Sequence, residues 1–384
     1  MRRGERERAD GYIDTLLGGS LQAVPSSRGE QPEVEHRACS LARDDHVVEQ
    51  RRADDGGALD DGPRECNVLA RSSTRAGLFS GKMQTRRLGS LKVSIVGLGC
   101  NNFGGRLDAA ATANVVSAAI EAGITLFDTA DIYGGTQSEV LLGQALGDKR
   151  NEIVLATKFG ADVNGERAGG SAAYIARAVE SSLRRLGTDR IDLYQIHKPD
   201  ETVQIAETLG ALDALVKAGK VIEIGCSNFS VAQLREAAAA SAPGTARFVS
   251  VQNELSLLHR GDEADVLPEC AHTDLAYLPY FPLASGMLTG KYTGTEQAKT
   301  GRLAGKGGLS DKFRTPTNVA HVEALTKFAA DRGHSLLELA FGWLLAHPPV
   351  SSVIAGATSP EQVRRNVAAA SWELGDEMLE LAKI

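Results

Sequence analysis

The chain has 384 residues, 49 of them acidic and 42 basic, for a formal net charge of −7, so it carries no basic field to recommend nucleic acid or an anionic membrane as a partner. No apolar run approaches the roughly 18 residues of a membrane-spanning helix, and the N-terminus has no apolar signal core, so a cytoplasmic protein with a small-molecule partner is expected. Cys39, Cys66, Cys100, Cys226 and Cys270 lie far apart without paired ligand spacing, which argues against a disulfide framework and a zinc site.

Residues 1–82 are rich in Arg, Asp, Glu, Gly and Ser, contain a single lysine, Lys82, and show no helical or strand-like apolar period. Such a stretch lacks the means to bury a core. It reads as a disordered or non-native N-terminal extension, with one domain spanning 83–384. The first elements of that domain are two short runs, 86–88 and 92–94, joined through Gly89-Ser90 as a hairpin. A strand at 95–98 follows. Strands near 125–128, 153–157, 191–196, 221–226, 249–252, 276–281 and 350–355 then alternate with helical patterns. The helices fall at 108–122, 138–146, 171–186, 202–218, 231–240, 263–273, 318–332, 335–346 and 360–370, and a last short one at 374–384. Eight strands in βα alternation predict a parallel (β/α)₈ TIM barrel with the N-terminal β-hairpin capping its floor. One connection departs from the pattern. The stretch 281–318, after the seventh barrel strand, is Gly- and Thr-rich and far longer than an ordinary loop, as functional lids are.

Three strand-like runs finish with residues that carry or steer a proton: Asp128 in FDTADIY, with Tyr133 five residues on, Lys158 in VLATKFG, and His197 in DLYQIHKP. The strand ends at Asp128, Lys158, His197, Ser227, Gln252 and Tyr280 are separated by 30, 39, 30, 25 and 28 residues, each close to one βα period. In a parallel barrel these ends converge on one face, where chemistry sits. Singly, each residue has a plainer reading: a tyrosine after a strand is usually packing, a lysine beside a carboxylate an ion pair, a lone histidine a satisfied polar partner. Their joint occurrence on consecutive strands favours a site.

With FDTADIYG, TKFG, DLYQIHKP, IGCSNFS, VQNELS and SGMLTGKY in this order, the segment from about residue 86 to 366 resembles the aldo-keto reductase superfamily. The resemblance implies a catalytic set of Asp128, Tyr133, Lys158 and His197. Reducing a carbonyl needs a proton donor at oxygen. Tyr133 would be that donor, with the Lys158 ammonium expected to lower the cost of releasing its proton. Asp128 would hold Lys158, and His197 would orient the substrate carbonyl.

The same resemblance implies a nicotinamide cofactor, since no side chain donates hydride. GLGCNN does not complete the G-x-G-x-x-G fingerprint, so a Rossmann domain is disfavoured. The implied cradle holds the carboxamide with Ser227, Asn228 and Gln252 and stacks the ring on Tyr280. Leu283, Ser285, Gly286 and Lys291 would follow the pyrophosphate, and the long loop after the seventh strand would fold over the cofactor. At the adenosine end stand Gly356, Thr358, Gln362, Arg365 and Asn366, with Arg302 reaching in from that loop. TSPEQ also reads simply as an N-cap with proline at the first helical position. Many family members have Lys and Arg where this chain has Gly356 and Gln362, but other branches with Gln there still use NADPH, supported by a long-loop arginine like Arg302, so NADPH is expected with NADH as the alternative. Cys100, Asn101, Asn102, Phe103 and Phe281 would line the substrate pocket, polar enough in NNFGGR to suit a polar or sugar-like carbonyl.

Three functions compete. The first is NADPH-dependent reduction of an aldehyde or ketone, or its reverse. The second is a catalytically weak, cofactor-binding regulatory subunit like the β subunits of potassium channels. The third is a TIM-barrel lyase or hydrolase working without nicotinamide, against which the cradle residues speak.

Overall fold

A computed structural model describes residues 83–161, 163, 169–292, 301–304 and 307–384. The extension at 1–82 lies outside them. The chain opens with the hairpin β1 (Thr85–Leu88) and β2 (Leu91–Ser94). Eight parallel strands then follow: β3 (Val96–Gly99), β4 (Leu126–Asp128), β5 (Val154–Phe159), β6 (Ile191–Ile196), β7 (Val221–Ser227), β8 (Phe248–Glu254), β9 (Ala276–Tyr280) and β10 (Val353–Gly356). They pair in the order β10-β3-β4-β5-β6-β7-β8-β9. Tyr277 closes the ring: its N–H donates to Pro349 O at 2.8 Å and its carbonyl accepts from Ser351 N at 3.0 Å. The eighth strand was expected at 350–355. Its first part serves instead as this seam, where Val350 bridges Tyr277, and the main ladder with β3 begins at Val353.

The period-two alternation of the strands separates two cores. Leu126, Ala156, Leu193, Val249, Ala276, Leu278 and Ile354 face inward and pack against Leu88 and Val93 of the hairpin, all nearly inaccessible. Each large side chain buried here is worth roughly 1.5–3 kcal/mol, and together they plug the floor. Arg86 fastens the plug by donating to Leu345 O at 2.7 Å and Val350 O at 2.6 Å. The outward residues meet the ring of helices. α1 (Ala109–Glu121), α2 (Gln137–Leu146), α3 (Ala172–Leu186), α4 (Ile205–Lys217), α5 (Val231–Ala240) and α6 (Val266–Thr273) intervene between the first seven barrel strands. In α3, Tyr174, Ile175, Ala178, Val179, Ser182, Leu183 and Leu186 are buried, the three-and-four spacing of one helical face, and Gly187 ends it in the left-handed conformation at φ 63°.

Helix starts differ from the periodic reading wherever a short polar side chain competes for the backbone. The Asp200 carboxylate accepts from Thr202 N at 2.9 Å and Thr202 Oγ1 at 2.7 Å, so α4 begins at Ile205 rather than 202. Asp265 likewise caps Val266 and separates α6 from a 3₁₀ turn, Gly261–Glu263. The long connection after β9 contains a 3₁₀ turn, Ala284–Thr289, and the short α7 (Leu309–Phe313). α8 (Pro316–Ala330) starts early because Thr315 caps it with proline at its first position. α9 (Leu336–Leu345), α10 (Pro360–Ala369) and α11 (Glu377–Leu381) complete the fold.

Candidate active site

The inward alternation that puts Leu126, Ala156 and Leu193 in the floor puts Asp128, Lys158, Gln195 and His197 above them at the strand ends. Lys158 Nζ donates to Asp128 Oδ2 at 2.6 Å and to Thr129 O at 2.9 Å, with both side chains almost wholly buried. The other carboxylate oxygen accepts from Gln252 Nε2 at 3.0 Å and Gln195 Nε2 at 3.3 Å. Removing two charges from water is costly, and such complete pairing is what makes the burial tolerable. Tyr133 lies over this pair, its ring centroid 5.2 Å from Lys158 Nζ and 5.9 Å from the His197 ring, which it meets edge-on. The Tyr133 loop is fixed by Gly134, in the left-handed region at φ 59°. A Cβ there would stand 2.3 Å from Phe103 O, so only glycine lets the loop reach this position.

Burial raises the Tyr133 phenol above its ordinary value of 10, against the pull of Lys158. Lys158 pulls it down, in the expected direction, but burial outweighs that pull, so the phenol stays protonated across the neutral range. Burial by itself would depress the Lys158 ammonium, yet Asp128 and Tyr133 together carry it above its usual value. His197 is pushed down to about 3 by burial, with Lys158 and Lys198 adding to it, so it stays a neutral imidazole. Its Nδ1 is buried without a partner.

Beside these four, Ser227 and Asn228 close the end of β7. Ser227 Oγ donates to Gln252 O at 2.7 Å. Asn228, left-handed at φ 62°, donates to His197 O at 2.9 Å and accepts from Tyr280 Oη at 2.8 Å. Tyr280, half-buried, is thereby held as a platform at the mouth. Just after it, Phe281, Ala284 and Ser285 are non-glycine residues at φ 49°, 45° and 55°. Backbone of this kind costs on the order of 1–3 kcal/mol per residue and clusters at ligand clamps. The Ser285 hydroxyl is buried without a partner. Lys291 folds over Gly286, where a Cβ would stand 3.2 Å from its Nζ.

A profile of the aldo/keto reductase family matches residues 95–383. The chain belongs to the aldo-keto reductase family. It is 36% identical over 296 residues to the aldo-keto reductase YhdN of Bacillus subtilis, covering 75% of this chain and 88% of that one. It is 32% identical over 298 residues to a probable voltage-gated potassium channel subunit beta of rice, Oryza sativa subsp. japonica, covering 75% and 91%. Among solved structures, the glycerol dehydrogenase AKR11B4 of Gluconobacter oxydans superposes with a TM-score of 0.68 at 31% identity, over 78% of this chain and 94% of that one.

Aldo-keto reductases bind nicotinamide cofactors, and the residues here suit such a group. An orphaned hydroxyl at Ser285, the strained turn around it and the Lys291 ammonium beside Gly286 form a lining of the kind that suits an anion. At the adenosine end, Gln362 turns its side-chain carbonyl back to accept from Thr358 N at 2.9 Å, with Ser359 capping α10. Arg365 is exposed and Asn366 buried. Arg302 donates to Asn101 Oδ1 at 3.4 Å and lies 5.6 Å from the Phe281 ring centroid. Asn101 in turn borders Gly356, at 3.6 Å from where a Cβ would be, so loop arginine, first-strand loop and last strand are contiguous.

The pocket residues divide. Asn101 and Phe281 are half-buried at the mouth, whereas Phe103 is wholly buried in the outer core and Asn102 is turned inward, donating to Ala357 O at 3.2 Å. Phe103 therefore does not line the pocket; its N–H donates to Cys100 O at 3.0 Å in a turn that leaves the residue within the outer core. Cys100 is also inaccessible. Gln195 was missed. Its place two residues before His197 on one strand face was the available signal. A cavity of about 650 Å³ lined by Arg86, Arg87, Glu223, Arg247 and Asp274 lies at the floor, the opposite end from the converging strand ends. Among the described residues no helix is long and apolar enough to cross a membrane.

Proposed function

We propose that this chain is an NADPH-dependent oxidoreductase that reduces an aldehyde or ketone to the alcohol, or runs the reverse reaction, with Tyr133 as general acid. The observation that carries it is the Tyr133 ring set between the His197 ring and the buried Lys158–Asp128 pair at the barrel mouth. The bound nicotinamide supplies hydride to the carbonyl carbon. Tyr133 Oη gives its proton to the oxygen as negative charge develops there, and Lys158 stabilises the phenolate left behind. Asp128 keeps Lys158 in place, and the Gln195 and Gln252 amides hold its other oxygen. His197, neutral at every working pH, donates a hydrogen bond that orients the carbonyl without competing for the proton. Ser227, Asn228 and Gln252 would hold the carboxamide, and Tyr280 would set the face of the ring. Leu283, Ser285, Gly286 and Lys291 would hold the pyrophosphate, and Arg302, Arg365 and the start of α10 would serve the adenosine end, with NADH as the alternative cofactor. A mouth lined by Asn101 suits a polar carbonyl, in keeping with the glycerol dehydrogenase named among the similar structures.

The test is a screen of aldehydes, ketones, sugars and polyols with NADPH and NADH, following nicotinamide absorbance. Turnover lost in Tyr133→Phe supports the reading. The likeness to a potassium channel subunit beta favours a second reading, a cofactor-binding regulatory subunit. Tight NADPH binding with no turnover on any carbonyl would select it.

A further inference from the structure

Behind the catalytic face lies a buried acid that this mechanism does not use. Asp131 stands two residues before Tyr133, and its N–H donates to Lys158 O at 3.1 Å, continuing the β4–β5 pairing past the end of β4. Its carboxyl is 2% exposed, and neither oxygen has a hydrogen-bond partner. The groups that act on it come from each packed element. Lys158 is on β5, Glu139 on α2, Arg185 on α3 and Tyr194 on β6, with the Ile132 N–H in its own loop. Both cations are already committed. Lys158 is 2.6 Å from Asp128, and Arg185 is 2.6 Å from Glu139, whose other oxygen accepts from Thr157 Oγ1 at 2.6 Å. Three acids thus share two bases. Two acids hold a base each, and the third, without a counter-ion of its own and with only the neighbouring Ile132 N–H beside it, is the one for which a buried charge is least tolerable.

We propose that Asp131 is a positioning residue of the proton-transfer site, kept as the uncharged acid in the working enzyme so that the Lys158 ammonium answers to Asp128 and Tyr133 alone. The inference rests on the reading of Tyr133 as general acid. Ionising Asp131 adds a negative charge near Lys158, which tightens the hold of the phenol on its proton and slows reduction. Burial, with Glu139 adding to it, pushes this carboxyl up to about 8. The loss therefore falls at alkaline pH but below the range in which Tyr133 itself ionises.

The experiment compares wild type with Asp131→Asn, a neutral isostere of the protonated acid. In the wild type, kcat for carbonyl reduction should fall about tenfold between about pH 7 and pH 9 with KM little changed. In Asp131→Asn the rate at about pH 6.5 should stay within roughly threefold, and the alkaline fall should move up or vanish. Coincident profiles would overturn the proposal. So would a loss of a hundredfold or more at about pH 6.5 with melting unchanged, which would mean that the charged form is needed. Thermal melting gives a readout that does not depend on turnover. A carboxyl whose folded pKa is raised contributes stability that is lost as pH rises toward that value. The wild type should thus lose stability relative to Asp131→Asn between about pH 4 and pH 8. If no carbonyl is reduced by either protein, the reading of the reaction fails, while the melting comparison still decides whether Asp131 is protonated. Should the variant not fold, ¹³C-aspartate titration of the wild type decides it: one carboxyl should titrate near pH 8, and none doing so above about pH 6 overturns the idea.

Discussion

The strand-end tetrad and the segment after β9 differ in how completely they are satisfied. At the tetrad, Asp128 is bonded through both oxygens and Lys158 through two acceptors, on backbone held by parallel ladders. After β9, three non-glycine residues are left-handed and the buried Ser285 hydroxyl has no partner. The carboxylate–ammonium pair of the tetrad is satisfied by protein groups, whereas the segment after β9 keeps a buried hydroxyl on strained backbone. Proton transfer demands fixed distances and so belongs on rigid strands. Holding a long, charged cofactor demands irregular backbone, which carries its strain until the ligand's contacts offset it.

The comparison is broken most sharply at the tetrad. Tyr133→Phe should lower carbonyl reduction by about two orders of magnitude or more, the scale of a lost general acid. Cofactor binding by fluorescence should survive, because the cradle is built from other residues. Near wild-type turnover, on a substrate whose chemistry limits the rate, would remove Tyr133 from that role.

Lys158→Met should depress the rate too, and here stability moves as well. Removing one partner of a buried pair leaves Asp128 uncompensated, a loss of roughly 3–5 kcal/mol. Adding Asp128→Asn should recover much of the melting temperature without recovering the rate, since the phenol still lacks its cation. If the double variant regains both, Lys158 is a structural ion-pair partner only.

At the second region the expected effects are smaller. Arg302 is part-exposed, and a charge-assisted contact there is worth roughly 1.5–3 kcal/mol at best. NADPH should be favoured over NADH by about tenfold to a hundredfold, and Arg302→Ala should erode that preference mainly by weakening NADPH. Dissociation constants for both cofactors on both proteins check it. Equal or better NADH binding by the wild type would overturn the NADPH assignment.

How much could be read beforehand follows the same division. Strand order, the hairpin plug and the convergence of Asp128, Lys158 and His197 follow from local periodicity, because a residue at the end of a parallel strand has one face to point at. Gln195 was legible by the same period-two rule and was passed over, since an amide within an apolar run looks like tolerated polarity. What periodicity does not carry is loop geometry. The burial of Phe103 depends on a turn at Cys100 and on Gly134 pressing against its carbonyl, a contact across 31 residues of sequence. The pull of Lys158 on Tyr133 was legible, but the larger opposing effect of burial was not. The shift is a balance between burial and the neighbouring ammonium, and burial depends on the closure of loops that the sequence does not display.

The smallest effect is expected from removing residues 1–82. The barrel floor is sealed by Leu88 and Val93, Arg86 ties the hairpin to the end of α9, and Gln84 O accepts from Ile95 N at 3.0 Å. The inner core and its plug are therefore complete from Met83 onward, and the upstream composition has too little apolar pattern to add to them. A protein beginning at Met83 should bind cofactor and turn over as the full chain does, with melting temperatures within about 2 °C of each other. A larger loss in the shortened protein would mean that the extension packs on the barrel. If stability fell while the tetrad kept its rate, the floor would be the place to look, because the floor and the catalytic mouth are at opposite ends of the same strands.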